Sequence, residues 1–252
     1  MIIFMYNKKN QNLINDSNYL TIENIGCLNK NSKKKDTYRT VFREASDSDK
    51  IEDGCHTALN QSDILCITSR KLCKEDFLTR IETIAAVHPK AIVLREKDLS
   101  EEDYTILAEK VMHICEAYDV PCILHSFTKT AMVLNIKAIH MPLPLLRKMT
   151  SREKSHFEII GASCHSLEDA KEAERLGCTY ITAGHIFLTD CKKGLPGRGL
   201  PFLRNICENI AIPVYAIGGI SAQNIDAVRQ TGVAGACIMS SFMKCNNVAE
   251  II

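Results

Sequence analysis

The sequence lacks three features that mark large classes of protein. No apolar run approaches the roughly 20 residues that cross a bilayer, and residues 1–6 are too short, with no basic residue before them, for a signal peptide. The 31 basic and 30 acidic residues almost cancel, leaving +1, so no overall field favours a polyanion such as nucleic acid. These absences predict a cytoplasmic protein that engages neither a membrane nor nucleic acid.

Cysteine is abundant, yet none of the 12 cysteines forms a Cys-x-x-Cys pair. They are scattered along the chain and lack the spacings of a disulfide framework or a zinc site. We therefore expect reduced, mostly buried thiols that serve as small core residues. They predict no metal site and no cofactor.

The chain has an irregular beginning and a periodic remainder. Residues 1–62 show no sustained periodicity and contain the strongly polar run 29–36, which predicts an irregular N-terminal extension. From Asp63 onward, short apolar runs alternate with stretches of helical period. The 252 residues, 46% of them hydrophobic, suit one α/β barrel or two ordinary domains. We expect residues 63–252 to form a single barrel domain.

Eight apolar runs, many of them β-branched, are candidates for strands. Their number matches the (β/α)8 TIM barrel, whereas a doubly wound open sheet is the alternative that periodicity alone leaves open. Between them, 101–118 carries an apolar stripe, and 166–176 begins with a helix-capping pattern and ends before Gly177. The predicted strands are 64–68, 91–94, 122–124, 138–141, 158–161, 180–183, 214–217 and 236–239.

Polar residues lie at the carboxyl ends of these runs, where the reactive groups of such barrels gather. Four of them are cations that would suit a carboxylate or a phosphate, namely Arg95, Lys97, Lys192 and Lys193. Each cation alone could be a solvated surface charge. The candidate site residues are Arg95, Lys97, Ser163, His165, Thr189, Lys192, Gly218, Gly219, Ser240 and Ser241.

Two pairs of small residues follow the last two strands. Gly218-Gly219 and Ser240-Ser241 would direct backbone NH groups and hydroxyls at one point, as in barrels whose last two loops hold a phosphate. The alternative is a tight turn without a ligand. The position of the glycines after the seventh strand favours the phosphate.

His165 follows the fifth strand and directly precedes a helix. A neutral imidazole there could act as a general base near pH 7, whereas the alternative is a helix-flanking histidine bonded to the backbone. His125, His140 and His185 face the same choice and are weaker candidates.

The chain resembles the bacterial thiazole tautomerases (TenI) within the thiamine phosphate synthase/TenI superfamily. Residues 184–199, GHIFLTDCKKGLPGRG, resemble the sixth-strand loop of these enzymes, and residues 160–170 resemble their fifth-strand segment. Residues 94–97 and 216–220 resemble segments that the whole superfamily shares. The resemblance extends over residues 63 to about 245.

The resemblance implies an isomerase that aromatises a small phosphorylated thiazole carboxylate by moving one proton. It implies that His165 is catalytic, that the basic residues hold the carboxylate, and that Gly219 and Ser240 bind the phosphate. Such an enzyme needs no metal and no cofactor.

Two other functions stay open. Thiamine phosphate synthases, which are transferases, usually hold Mg²⁺ with aspartates after strands three and four, where this chain has His125-Ser126 and residues 141–144. A synthase reading would require Mg²⁺ and different ligands for it. The second is a catalytically idle barrel that senses phosphorylated ligands. Few residues remain for an eighth helix, so a homo-oligomer that covers exposed apolar barrel surface is also compatible with the sequence.

Overall fold

The computed structural model describes residues 63–189, 192 and 194–251, which form a closed barrel of eight parallel strands. The strands pair in chain order, and β8 closes the ring on β1 with Ile64 opposite Ala236. This confirms the TIM barrel and excludes the open sheet. The predicted extension 1–62 lies outside the described residues. The strands are β1 Ile64–Ile67, β2 Ala91–Leu94, β3 Cys122–His125, β4 Ala138–Pro142, β5 Ile159–Cys164, β6 Tyr180–Gly184, β7 Val214–Ile217 and β8 Gly235–Ile238.

Helices on the outside of the ring connect the strands. Short 3-10 turns at Arg70–Leu72 and Val248–Glu250 accompany them. Several start at side-chain caps, among them Ser100, whose hydroxyl accepts from the Asp103 backbone NH. In the described residues the α-helices are α1 Phe77–Ala85, α2 Glu101–Ala117, α3 Thr128–Val133, α4 Leu143–Leu146, α5 Ser151–His156, α6 Leu167–Arg175, α7 Gly199–Asn209, α8 Ile225–Arg229 and α9 Ser240–Lys244.

The predicted strands agree with the observed ones, most within one residue at either end. The largest difference is β5, which runs to Cys164 rather than ending at Gly161. Its last residues pair with both neighbours, Ser163 lying opposite Pro142 on β4 and Thr182 on β6. Ser163 therefore lies inside a strand rather than after one.

Alternation along the strands divides the core into two layers. Leu65 and Val93 belong to a cluster inside the ring, whereas Ile64 and Ile92 pack outward against the helices. Inside the ring the Tyr180 and Tyr215 rings meet edge to face, with centroids 5.8 Å apart. Side chains therefore fill the barrel interior toward the amino ends of the strands, and the open space lies toward their carboxyl ends.

The nine described cysteines are all free thiols, and six of them are buried. Burial raises the pKa of Cys66, Cys164 and Cys237, which keeps these thiols protonated. The prediction of reduced, mostly buried thiols is confirmed for this part of the chain. Within it, no helix has the length and apolar character needed to cross a membrane.

Candidate functional site

A cavity of about 680 Å³ opens at the carboxyl ends of the strands. Its size is that of a small-molecule site. All ten candidate residues line it, namely Arg95, Lys97, Ser163, His165, Thr189, Lys192, Gly218, Gly219, Ser240 and Ser241. The closed ring thus brings together residues that are up to 146 positions apart in sequence, from Arg95 to Ser241. Lys193, the fourth predicted cation, lies outside the described residues.

The loop after β2 supplies two cations to the cavity. Arg95 and Lys97 both line it, and neither forms a salt bridge with a described carboxylate. Burial and the neighbouring Arg95 charge lower the pKa of Lys97. Two neighbouring positive charges with no counter-ion among the described residues can attract an anion.

The residue between these cations points away from the cavity. Glu96 is 3% exposed, and its carboxylate accepts from the Thr68 hydroxyl at 2.7 Å and from the Arg70 backbone NH at 3.0 Å. The Arg70 guanidinium adds a contact of 3.1 Å to it. The Thr68 hydroxyl in turn accepts from the Arg95 backbone NH at 2.9 Å. This buried network of Thr68, Arg70 and Glu96 fixes the backbone of the loop that carries Arg95 and Lys97.

His165 lies exposed at the end of β5, beside the cavity. Its Nδ1 is 2.9 Å from the Gly184 carbonyl oxygen at the end of β6. Since a carbonyl oxygen only accepts, Nδ1 carries the hydrogen and the neutral ring has its lone pair on Nε2. Nε2 has no hydrogen-bond partner among the described residues. The ring is therefore arranged to accept a proton from a ligand.

The glycine pair after β7 packs directly under the loop after β6. Gly218 and Gly219 both have positive φ, +100° and +68°. A Cβ on Gly218 would lie 2.5 Å from the His185 Cβ, and one on Gly219 would lie 2.6 Å from the Leu188 carbonyl oxygen. Two backbone bonds join the loops, from Ile186 to Ile217 and from Phe187 to Gly218. Glycine is required here by both conformation and space.

Ser163 is linked to the barrel interior through His140. The His140 ring lies with Nε2 2.8 Å from the Ser163 hydroxyl and Nδ1 2.9 Å from the Tyr180 hydroxyl. Burial, followed by the charges of Lys97 and Arg95, lowers the pKa of His140 to about 3. His140 is therefore neutral at physiological pH, and it orients Ser163 rather than contributing a charge.

Sequence reasoning missed three polar residues that line the cavity, Arg147, Asp169 and Thr182. Arg147 follows the short helix α4 and forms a bidentate pair with Glu172 on α6, at 2.6 and 2.7 Å. Asp169 accepts from the His165 backbone NH at 2.9 Å. The alternation of a strand ending in Gly184 could have identified Thr182, but no strand end predicts Arg147.

The described residues do not fit a magnesium site. They contain no group of three His, Cys, Asp or Glu side chains placed to hold a metal ion. Asp169 is the one carboxylate among the described residues that line the cavity, and its Oδ2 already accepts from a backbone NH. Mg²⁺ prefers several oxygen ligands, which this wall does not offer.

Comparisons with known proteins agree on one family. A family model described as thiamine monophosphate synthase matches residues 64–242. Thiamine-phosphate synthase 2 of Streptococcus pneumoniae is 33% identical over 179 residues, covering 69% of this chain and 83% of that protein. Thiamine-phosphate synthase of Clostridium acetobutylicum is 35% identical over 190 residues, covering 73% and 88%.

A solved structure gives the same result. Thiamine phosphate pyrophosphorylase from Pyrococcus furiosus superposes with a TM-score of 0.65 at 27% identity, over 76% of this chain and 92% of that one. The names of these three relatives describe the synthase, and none of them describes a tautomerase.

Proposed function

The chain belongs to the thiamine monophosphate synthase family, and on that premise we propose that it is a thiazole tautomerase. Its substrate is a phosphorylated thiazole carboxylate, which it aromatises by proton transfer through His165. The observation that carries the proposal is the His165–Gly184 hydrogen bond, because it leaves Nε2 as a base beside the cavity.

In the proposed reaction His165 transfers the proton, and Arg95 and Lys97 stabilise the charge that develops. His165 Nε2 accepts a proton from the non-aromatic ring, and the electron pair left behind spreads over the ring and its carboxylate. Arg95 and Lys97 stabilise that negative charge. The His165 imidazolium then returns the proton to another atom of the conjugated system, so the enzyme ends in its starting state. The lack of a magnesium arrangement in the described cavity fits a reaction that consists of proton transfer alone.

The phosphate is assigned to the other side of the cavity. Gly218 and Gly219 form the turn after β7, and Ser240 and Ser241 start α9 after the neighbouring β8. Thr189 and Lys192, in the loop after β6, add a hydroxyl and a charge near that turn. The three loops follow adjacent strands, which suits one phosphate with several donors.

A second candidate function is thiamine phosphate synthesis, because relatives 33% and 35% identical carry that name. It would join a pyrimidine pyrophosphate to a thiazole phosphate and release pyrophosphate. The described cavity offers one carboxylate for the Mg²⁺ that this reaction is expected to need.

One set of assays separates these candidates. The purified protein is given the non-aromatic tautomer of thiazole carboxylate phosphate, and aromatisation is followed by ultraviolet absorbance and by uptake of solvent deuterium. A parallel sample receives pyrimidine pyrophosphate, thiazole phosphate and Mg²⁺, and pyrophosphate release is measured. Aromatisation without pyrophosphate release supports the tautomerase, and the reverse result replaces it with the synthase. Tight binding without either turnover would instead support a phosphate-ligand sensor.

A further inference from the structure

His125 places a buried imidazole with one unpartnered nitrogen in the cavity wall. The residue ends β3, is 3% exposed and lines the cavity. Its Nδ1 lies 2.7 Å from the Ser126 hydroxyl, while Nε2 has no hydrogen-bond partner among the described residues. In the described part of the chain, the side-chain nitrogen and oxygen atoms that are both sealed from solvent and without a partner belong only to Arg80 and His185. Since Nε2 of His125 has no partner and is not one of these sealed atoms, it is accessible from the cavity.

The ring is held rigidly beside the cationic loop. The His125 backbone NH donates to the Tyr104 hydroxyl at 3.0 Å, and that hydroxyl donates to the Leu94 carbonyl at 2.6 Å, directly before Arg95. The His140 ring stacks against the His125 ring, with centroids 5.5 Å apart. Ser126 adopts a left-handed φ of +72°, which costs a non-glycine residue free energy and is common at functional sites. His125 and Arg95 are thus positioned as one unit.

The electrostatic surroundings keep this ring uncharged. Burial, then His140, Lys97 and Arg95, lower the pKa of His125 to about 2. A neutral ring has one hydrogen, and its place depends on what Nε2 meets. An anion drawn in by Arg95 and Lys97 needs a donor, so it selects the tautomer with hydrogen on Nε2 and with Nδ1 accepting from the Ser126 hydroxyl.

The barrel order gives this donor a defined place relative to the phosphate. In a ring of eight strands β3 stands opposite β7. His125 therefore lies across the cavity from the Gly218-Gly219 turn. A ligand whose phosphate occupies that turn would direct its other end at His125, Arg95 and Lys97.

We propose that His125 Nε2–H donates to the carboxylate of the ligand, and that this bond makes the site prefer carboxylated over decarboxylated thiazole phosphate. The proposal rests on the proposed function for the identity of the ligand. In this proposal the neutral His125 ring gives the anion a directional hydrogen bond, while Arg95 and Lys97 supply the positive charge.

The test compares two substitutions with two ligands. In His125→Gln the side-chain amide nitrogen reaches the region of Nε2, whereas in His125→Asn it reaches only that of Nδ1. Dissociation constants are measured by calorimetry for thiazole carboxylate phosphate and for the same compound without its carboxylate. We expect His125→Asn to weaken the carboxylated ligand about 10-fold and the decarboxylated ligand less than about 2-fold. His125→Gln should retain most of the preference.

Each other outcome overturns part of the argument. An equal loss for both ligands in His125→Asn would mean that the ring only shapes the cavity, and no loss for either would mean that it contacts neither. Both results reject the assignment of His125 and leave the tautomerase proposal intact. If the unaltered protein binds neither thiazole, the proposed function fails and the carboxylate assignment fails with it. Urea unfolding of both variants checks that the barrel is retained.

Discussion

The Nδ1 atom of His165 lies 2.9 Å from the carbonyl oxygen of Gly184, on the neighbouring strand. This bond joins the residue that follows β5 to the last residue of β6, and it determines which ring nitrogen can accept a proton. The same backbone continues into the loop that packs on Gly218. The geometry of the proposed base and that of the proposed phosphate turn are therefore physically connected.

Replacing His165 tests the base. We expect His165→Ala to lower the rate of aromatisation about a thousand-fold, the usual size of a general-base contribution, while ligand affinity changes little. Turnover is followed by absorbance and binding by calorimetry. His113→Gln, at an exposed position of α2, is the control histidine. Full activity of His165→Ala would refute the assignment.

Gly218→Ala should damage both stability and the site. Its Cβ would lie 2.5 Å from the His185 Cβ, at a residue whose φ is +100°, so strain and overlap together should cost about 3 kcal/mol of unfolding free energy. Gly177→Ala is the matched control, because φ is +89° there but nothing lies within 4 Å of the added Cβ. It should cost only about 1 kcal/mol. Equal losses in urea unfolding would show that the overlap relaxes.

Glu96→Gln tests the buried network of Thr68, Arg70 and Glu96 that supports the loop of Arg95 and Lys97. The charged carboxylate accepts from Thr68 and from both the backbone and the side chain of Arg70, so we expect a loss of about 2 kcal/mol. Glu172→Gln removes the carboxylate of the more exposed pair with Arg147 and should cost less than about 1 kcal/mol. Urea unfolding measures both. A smaller loss at Glu96 than at Glu172 would contradict the role of burial.

The neutral His140 predicts a pH dependence of stability. Its folded pKa of about 3 lies below the unfolded value near 6.5, so on acidification the unfolded chain binds a proton that the folded chain does not. Stability is therefore lost as the pH falls below about 6.5, by about 2 kcal/mol between pH 7 and pH 5 from this group. His140→Gln should lose about that much less over the same interval in urea unfolding. An unchanged pH dependence would show that folding does not lower the pKa of His140.

The strands could be predicted because a closed parallel barrel is buried on both faces and leaves continuous apolar runs. The prediction was short at β5, where Ala162, Ser163 and Cys164 are small or polar and no longer form an apolar run. Their ladder partners on β4 and β6, which no local pattern reveals, continue the strand.

The cavity residues could be predicted from the rule that strand ends converge, and the direction of each side chain could not. Arg95 and Lys97 face the cavity while Glu96, between them, is turned into the protein by Thr68 and Arg70. His125 looked like one of several equal histidines. What distinguishes His125 is that Ser126 occupies Nδ1 and leaves Nε2 without a partner, and this arrangement exists only in the packed structure.

Tyr104 extends the reach of the site to the outer layer of the barrel. The residue belongs to helix α2, yet its hydroxyl bridges the ends of β2 and β3. A residue of the helix layer thus helps to position the ligand-binding side chains, although it does not line the cavity itself. Tyr104→Phe keeps the ring and removes the bridging hydroxyl, so a change at a buried position of the helix layer would alter recognition in the cavity.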